Sequence, residues 1–420
     1  MNLNRTFLAN GVGLGAKVLA TLVLNKLVAI VGGPSAYVVL GQVQNIYQII
    51  SSAIFGSGNI AITKHLSDTE LSRDKKSKVV DMSYRINLSL ASLISIVFMV
   101  MYFLSPDGFV FNKNNRILYL VLAITCIPLS ISTMYLAVFN GIRDIKAFVK
   151  SNIVQSAIVI AGALAVYKTF GIVGMLAIFL VAQPLSLAYM HGRLPIEYRV
   201  RLRHISRSNK LNWELFRERF GPYAFVSVVG VALVPITLIA VRHILVDNYS
   251  PNTVGLWEAA HRTSQLFMIP LSSILSLYFL PKFSSNKSLS LVRGLIDNSQ
   301  FLIAYLFIGV FVIFFFDNVI LEILYSSEFL AASALLKIYI MGSVVYFLTM
   351  VIQYYYLAHS SYLKYVVFEV IRSLGYIFGV LLSTNLDSKI VGVAYAYVIA
   401  NSLVLALSVL LLRKTRVFER

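Results

Sequence analysis

The chain has 420 residues, of which 58% are hydrophobic and only 13% charged, and a formal net charge of +18. A soluble domain averages about 25% charged residues, so the composition excludes a soluble globular protein and indicates a polytopic, all-α membrane protein. In that class a basic excess reflects Lys and Arg in cytoplasmic loops, so nucleic acid is not an expected partner and membrane lipids are. The single cysteine, Cys126, excludes an intramolecular disulfide and a multi-cysteine metal site. No short apolar leader with a small-residue cleavage site opens the chain, so the first helix is expected to remain as an anchor.

Hydropathy predicts twelve membrane-spanning helices, near residues 8–31, 36–62, 80–104, 116–139, 148–168, 171–191, 220–242, 254–280, 294–316, 333–357, 364–383 and 390–412. Breaks are marked by Gly32-Gly33-Pro34, Ser105-Pro106-Asp107-Gly108, Asn140-Gly141, Gly171, Gly221-Pro222, Ser250-Pro251 and Pro281. With a cytoplasmic N-terminus the even-numbered loops and the tail hold most of the Lys and Arg, among them Lys64, Lys75, Arg143, Lys146, Lys150, Lys282 and Arg413. The opposite loops lean acidic, with Asp107, Asp247, Asp317, Glu322, Glu328 and Asp387. Both termini are therefore expected in the cytoplasm.

The longest polar segment, Arg193 to Arg219, divides the chain six plus six. The expected organisation is an N-terminal lobe (1–192), a basic cytoplasmic linker (193–219) and a C-terminal lobe (220–420). The halves look like faint parallel repeats. Lys26 near the end of the first helix matches Arg242 near the end of the seventh, and Gly41 matches Gly255 in the helix that follows. In transporters built from such repeats the substrate path lies between the halves.

An ionisable group at membrane depth costs roughly 3 kcal/mol on insertion scales, so each one needs a partner or a task. Lys17 lies about nine residues into the first helix, near mid-depth, and is expected to face an interior cavity. Lys26 is nine residues further on. Nine steps of 100° place it on the opposite face, close enough to the outer surface to snorkel. Helix eight carries Glu258, His261 and Arg262. Glu258 and Arg262, four apart, share a face; they form either a self-neutralising pair or a cation presented to the cavity and tuned by the carboxylate. Helix eleven repeats the theme with Glu369 and Arg372.

The deep charges are thus cationic on balance, and Lys17, Arg262 and Arg372 are the expected anion-binding residues. Arg suits phosphate through its planar fork, Lys as a point charge. Gln44, Asn45, Gln48 and Asn152 offer amides of the kind sugar hydroxyls require; each also serves as ordinary glue between helices. No phosphate-binding glycine loop, HExxH or CxxC occurs. The residues therefore point to no catalytic group, no metal ligand set and no cofactor.

Twelve spans in two six-helix halves with a basic central loop resemble the multidrug/oligosaccharidyl-lipid/polysaccharide exporter superfamily. Within it, the run from Lys17 to Pro34 is similar to bacterial O-antigen and enterobacterial-common-antigen translocases, the Wzx-type flippases. So are Phe139-Asn140-Gly141-Ile142-Arg143-Asp144, and Val254-Gly255-Leu256-Trp257 leading to Tyr278-Phe279-Leu280-Pro281. The resemblance implies translocation of an undecaprenyl-pyrophosphate-linked oligosaccharide across the bacterial inner membrane by alternating access, without an ATP site, alongside other polysaccharide assembly proteins. A multidrug/cation antiporter usually places carboxylates in the N-terminal lobe, where this chain has Lys17. A lipid II flippase usually carries helices beyond the twelfth. A polysaccharide polymerase or ligase typically has a long basic outer loop, which is not expected here.

Overall fold

The structure is a computed structural model. It describes residues 3–67, 72–104, 111, 113–199, 221–279, 282–283, 299–359, 361–386 and 389–414. Most of the central linker (200–220), Asp107, Asp387, Pro281 and the tail from 415 lie outside the described residues.

Twelve α-helices, α1 to α12 in chain order, occur among the described residues. They are α1 (Leu3–Gln48), α2 (Gly56–Ser67), α3 (Arg73–Leu104), α4 (Ile117–Gly141), α5 (Ile145–Leu185), α6 (Leu187–Arg193), α7 (Gly221–Asn248), α8 (Pro251–Ile274), α9 (Ser299–Leu324), α10 (Ser333–Ala358), α11 (Tyr362–Asn385) and α12 (Val391–Lys414). No strand occurs among the described residues.

Nine segments are long and apolar enough to cross a membrane among the described residues. Two of them, Val12–Ser52 and Ile145–Arg193, contain 41 and 49 residues. At 1.5 Å per residue each is about twice as long as a hydrocarbon core of about 30 Å requires, so each crosses twice. The turn falls at a glycine in both: Gly33 has φ 59° and ψ −162°, Gly171 has φ 55° and ψ −143°. That corner of backbone space is open essentially to glycine alone. Pro34 follows Gly33, where its fixed φ suits the first turn of the next helix. Helix α8 has the length of a further crossing; its Glu258, His261 and Arg262 lower its hydropathy. The protein is a multi-pass, all-α membrane protein.

Two other helix starts follow directly from local chemistry. Ser250 accepts a hydrogen bond from the Thr253 amide at 3.3 Å, and Pro251 occupies the first turn of α8. Asp144 accepts from the Ala147 amide at 3.0 Å and caps α5, one residue after Arg143 turns the chain with a φ of 61°.

Backbone contacts divide the chain into two compact units. The first is Met1–Val31 with Gln42–Ala232; the second is Gly32–Gly41 with Leu233–Arg420. In the first unit α3, α4 and α5 pack in sequence and α2 lies against α3 and α4. Tyr84, Met134, Tyr135, Phe139 and Met190 form the centre of its core. In the second unit α10 packs on α8, α9 and α12, and α11 on α12. Trp257, Tyr325, Phe329 and Tyr339 are fully or almost fully buried there. π-helical turns follow α1, at Ile49–Ile54, and α8, at Leu275–Phe279.

Candidate functional site

In the second unit the deep charges form two separate groups. The first centres on Glu258, which is 2% exposed. Its Oε2 accepts from Arg242 Nη2 at 2.7 Å and Nε at 3.1 Å, while its Oε1 accepts from Arg262 Nε at 2.6 Å. One carboxylate thus sits between two guanidiniums, leaving a formal charge of +1 in a buried place. Arg242 is 2% exposed and lies 5.9 Å from the Trp257 ring centroid. Arg262 keeps about a fifth of its side chain exposed and donates from Nη2 to the Gly41 carbonyl at 3.4 Å.

The segment Gly32–Gly41 is packed tightly against this group. A Cβ on Gly255 would overlap the Pro34 carbonyl, and one on Gly41 would meet Glu258 and Arg242. Tyr37 lies edge-on to Tyr325 and Phe329, with ring centroids 5.1 and 5.6 Å away. The absence of a side chain at Gly41 and Gly255 is what allows the turn between the first two spans to reach the carboxylate.

The second group is on α11. Arg372 Nη1 donates to Glu369 Oε1 at 2.7 Å, Gln353 Nε2 donates to the same oxygen at 2.9 Å, and Arg372 Nη2 donates to Gln353 Oε1 at 3.3 Å. The guanidinium lies over the Tyr346 ring, 4.3 Å from its centroid. Glu369 Oε2 and Arg372 Nε meet no hydrogen-bonding partner among the described residues. Both residues line a cavity of about 50 Å³ together with His261, Gln265 and Tyr397. Arg262 is not among the residues lining it. His261 is stacked on Trp257 and lies edge-on to Tyr339 and Tyr397, within an aromatic shell.

In the first unit Lys17 lines a larger cavity, about 530 Å³, with Asn59, Thr63, Lys64, Asn140 and Gln183. No acidic side chain among the described residues contributes to its lining. Thr63 donates to the Ala137 carbonyl at 3.2 Å, and Gln183 Oε1 accepts from the Tyr47 hydroxyl at 2.5 Å. The Oδ1 of Asn59 is buried and has no hydrogen-bonding partner among the described residues. This is a cationic recess of the size typical of small-ligand pockets.

The remaining expected residues take varied places. Lys26 is half-buried, and Gln48 is exposed. Gln44 donates to Asn25 Oδ1 at 3.2 Å, a bond between the two helices that meet at Gly33. Asn45 and Asn152 are each 4% exposed. Asn152 lies beside Gly13 in the first unit. Sequence reasoning left Arg242, Gln353, Lys64 and Gln183 out of the site. Arg242 reads as the end of the seventh span until α7 is seen to run on to Asn248, which puts it six residues inside the helix. No group of three or more His, Cys, Asp or Glu able to hold a metal occurs among the described residues.

No protein-family model matches the chain. The chain is 23% identical over 368 residues to the lipid III flippases of Escherichia coli K12 and Shigella flexneri, covering 84% of this chain and 85% of each relative. Among solved structures it is similar to an inward-facing multidrug resistance MATE family transporter of the MOP superfamily, with TM-score 0.76 and 15% identity. That match covers 96% of this chain and 94% of the other. It is also similar to the lipid II flippase MurJ in an inward closed conformation, with TM-score 0.75 and 15% identity over 97% of this chain and 87% of the other. The fold is that of these transporters.

Proposed function

We propose that the chain is a flippase that carries an undecaprenyl-pyrophosphate-linked oligosaccharide, such as an O-antigen repeat unit or a related glycan, across the bacterial inner membrane by alternating access. The chain is a transporter, not an enzyme. The observation that carries the reading is the excess of cation over carboxylate at membrane depth. Lys17 lines a cavity with no acid among the described residues of its lining, and Arg242 and Arg262 both bond the carboxylate of Glu258. Buried charge is costly, so a surplus is retained where a counter-charge arrives with the cargo. A diphosphate supplies that counter-charge, and amides such as Asn59 and Asn140 suit the attached sugar. The full-length similarity to lipid III flippases supports a lipid-linked cargo.

A multidrug or cation antiporter is the second reading, favoured by the structural likeness to MATE transporters. A cationic cargo calls for carboxylates in the cavity, and none lines the Lys17 cavity among the described residues.

The test is complementation of a strain lacking its own flippase. The wild-type gene restores surface glycan. Lys17→Ala, Arg262→Ala and Arg372→Ala, at matched membrane levels, reduce it. Normal surface glycan from all three variants excludes the cationic path, and export of a cationic dye by the wild type in place of glycan establishes the antiporter.

A further inference from the structure

We propose that the cavity beside Glu369 and Arg372 in the second unit is a neutral subsite that reads an acetamido group on a sugar of the cargo; this rests on the flippase reading, in which a glycan crosses with its lipid. Two unused polar atoms, the size of the space and the chemistry of its walls carry the inference.

Glu369 is 3% exposed and Arg372 is 7% exposed. Their ion pair and their bonds to Gln353 tie α11 to α10 in a closed ring, and the two formal charges cancel. One acceptor, Glu369 Oε2, and one donor, Arg372 Nε, are left without a hydrogen-bonding partner among the described residues. A buried polar atom without a partner is costly. An unused acceptor and an unused donor on neighbouring residues of one cavity therefore call for a neutral group that brings one of each.

The space measures about 50 Å³. A water needs about 15 Å³ of such room, so the cavity takes a few waters or one small organic group, while a whole sugar ring stays outside it. Val234 and Leu238 of α7 give the lining a hydrocarbon side, and Tyr346 and Tyr397 add ring surface. The hydroxyl of Tyr376, also in the lining, is already engaged with that of Tyr339 at 2.8 Å.

An acetamido group matches each part. Its N–H suits Glu369 Oε2, its carbonyl suits Arg372 Nε, and its methyl suits the hydrocarbon side. The competing substituents each fail at one point. A hydroxyl has no methyl to bury, a carboxylate has no hydrogen to give Glu369, and an ammonium has no acceptor for Arg372. The subsite thus distinguishes glycans by one ring substituent, apart from any contact made to the lipid's phosphates.

The experiment follows methyl N-acetylglucosaminide binding to the purified full chain by saturation-transfer NMR and titration. Methyl glucoside and methyl glucosaminide, which carry a hydroxyl and an ammonium in place of the acetamido group, are the parallel arms. The expected result is strongest transfer at the acetyl methyl and at least about tenfold weaker binding of the other two. Two variants fill the cavity while leaving the Glu369–Arg372 pair in place: Ser373→Leu from α11, and Val234→Phe from α7, where the wild-type side chain is 38% exposed and has room to grow. Each weakens the acetylated sugar about tenfold or more. Equal affinity for the three sugars, tighter binding of the glucosaminide, or no binding of the acetylated sugar overturns the proposal; in the last case the cavity holds water alone. Wild-type affinity in either filling variant, eluting as a single sharp species, overturns it too, because the sugar then binds elsewhere. The complementation assay separates this inference from the flippase reading. Restored surface glycan with no preference for the acetylated sugar sinks the subsite alone. A cavity-dependent preference without restored glycan sinks the flippase reading and keeps an acetamido site.

Discussion

Arg242 donates two hydrogen bonds to Glu258, at 2.7 and 3.1 Å, from one arm of the α7–α8 hairpin to the other. Arg262 completes the group from the opposite oxygen of the same carboxylate. The three residues are unequal. Removing one arginine leaves a neutral ion pair, whereas removing the carboxylate leaves two buried guanidiniums facing each other. Glu258→Gln is therefore expected to lower stability by about 3 to 5 kcal/mol, the usual result of stranding a buried charge. Arg242→Gln costs less, because Arg262 still neutralises Glu258. Thermal unfolding of the purified variants, followed by loss of the monodisperse elution peak, checks the order. Equal shifts for the two variants contradict it.

The packing of Gly32–Gly41 gives a second expectation. Ala at Gly255 has no room for its methyl group against the Pro34 carbonyl, and Ala at Gly41 meets Glu258 and Arg242. Overpacking of this kind costs about 1 to 3 kcal/mol. Gly15, in contrast, has nothing within 4 Å of where a Cβ would stand. Gly15→Ala gains up to about 1 kcal/mol from helix propensity. The same thermal measurement reads opposite signs at these positions. Stabilisation by Gly255→Ala is the outcome that refutes the tight approach.

Arg372 makes three kinds of contact: the ion pair with Glu369, the bond to Gln353 and the stack on Tyr346. Lysine supplies only the charge. Arg372→Lys is expected to lose about 1 to 2 kcal/mol of stability, since the fork and the planar stack go together. Tyr346→Leu removes the stack while sparing the fork and is expected to cost less. A double-mutant cycle on melting checks the coupling, and additive effects show that the ring contributes nothing to the guanidinium.

The class of protein and the breaks at Gly33, Asn140-Gly141, Gly171 and Ser250-Pro251 are legible in the sequence, because hydropathy and glycine or proline breaks are local signals. Gly33 and Gly171 mark helix ends in the amino-acid string and turn the chain in the structure. The pairing inside the membrane is less legible. Glu258 and Arg262 are four apart on one helix, and their bond follows from helical geometry alone. Arg242 reaches the same carboxylate across a hairpin, and Gln353 reaches Glu369 from another helix; no periodicity carries that information. The Lys17 cavity joins α1, α2, α4 and α5, so Lys64 reads in the sequence as one more cytoplasmic loop charge. The inclusion of Gly32–Gly41 in the second unit depends on contacts with residues more than 200 positions away, such as Gly255 and Glu258.

The Glu258–Arg262 pair invites a charge swap, and Arg242 changes what the swap does. In an isolated pair, Glu258→Arg with Arg262→Glu restores the interaction with its direction reversed. Here the new arginine at position 258 lies against the Arg242 guanidinium, where Nη2 and the carboxylate oxygen are now 2.7 Å apart. Two like charges at that distance in a buried site repel by more than the new 258–262 pair recovers. The double swap is therefore expected to melt at least as low as Glu258→Gln. Adding Arg242→Gln removes the clash and leaves one neutral pair, so the triple variant is expected to regain most of the lost melting temperature. Surface-glycan complementation then divides structure from transport. A stable triple variant without glycan assigns the positive charge to the cargo path, and a stable triple variant with normal glycan assigns all three residues to holding the α7–α8 hairpin against Gly41.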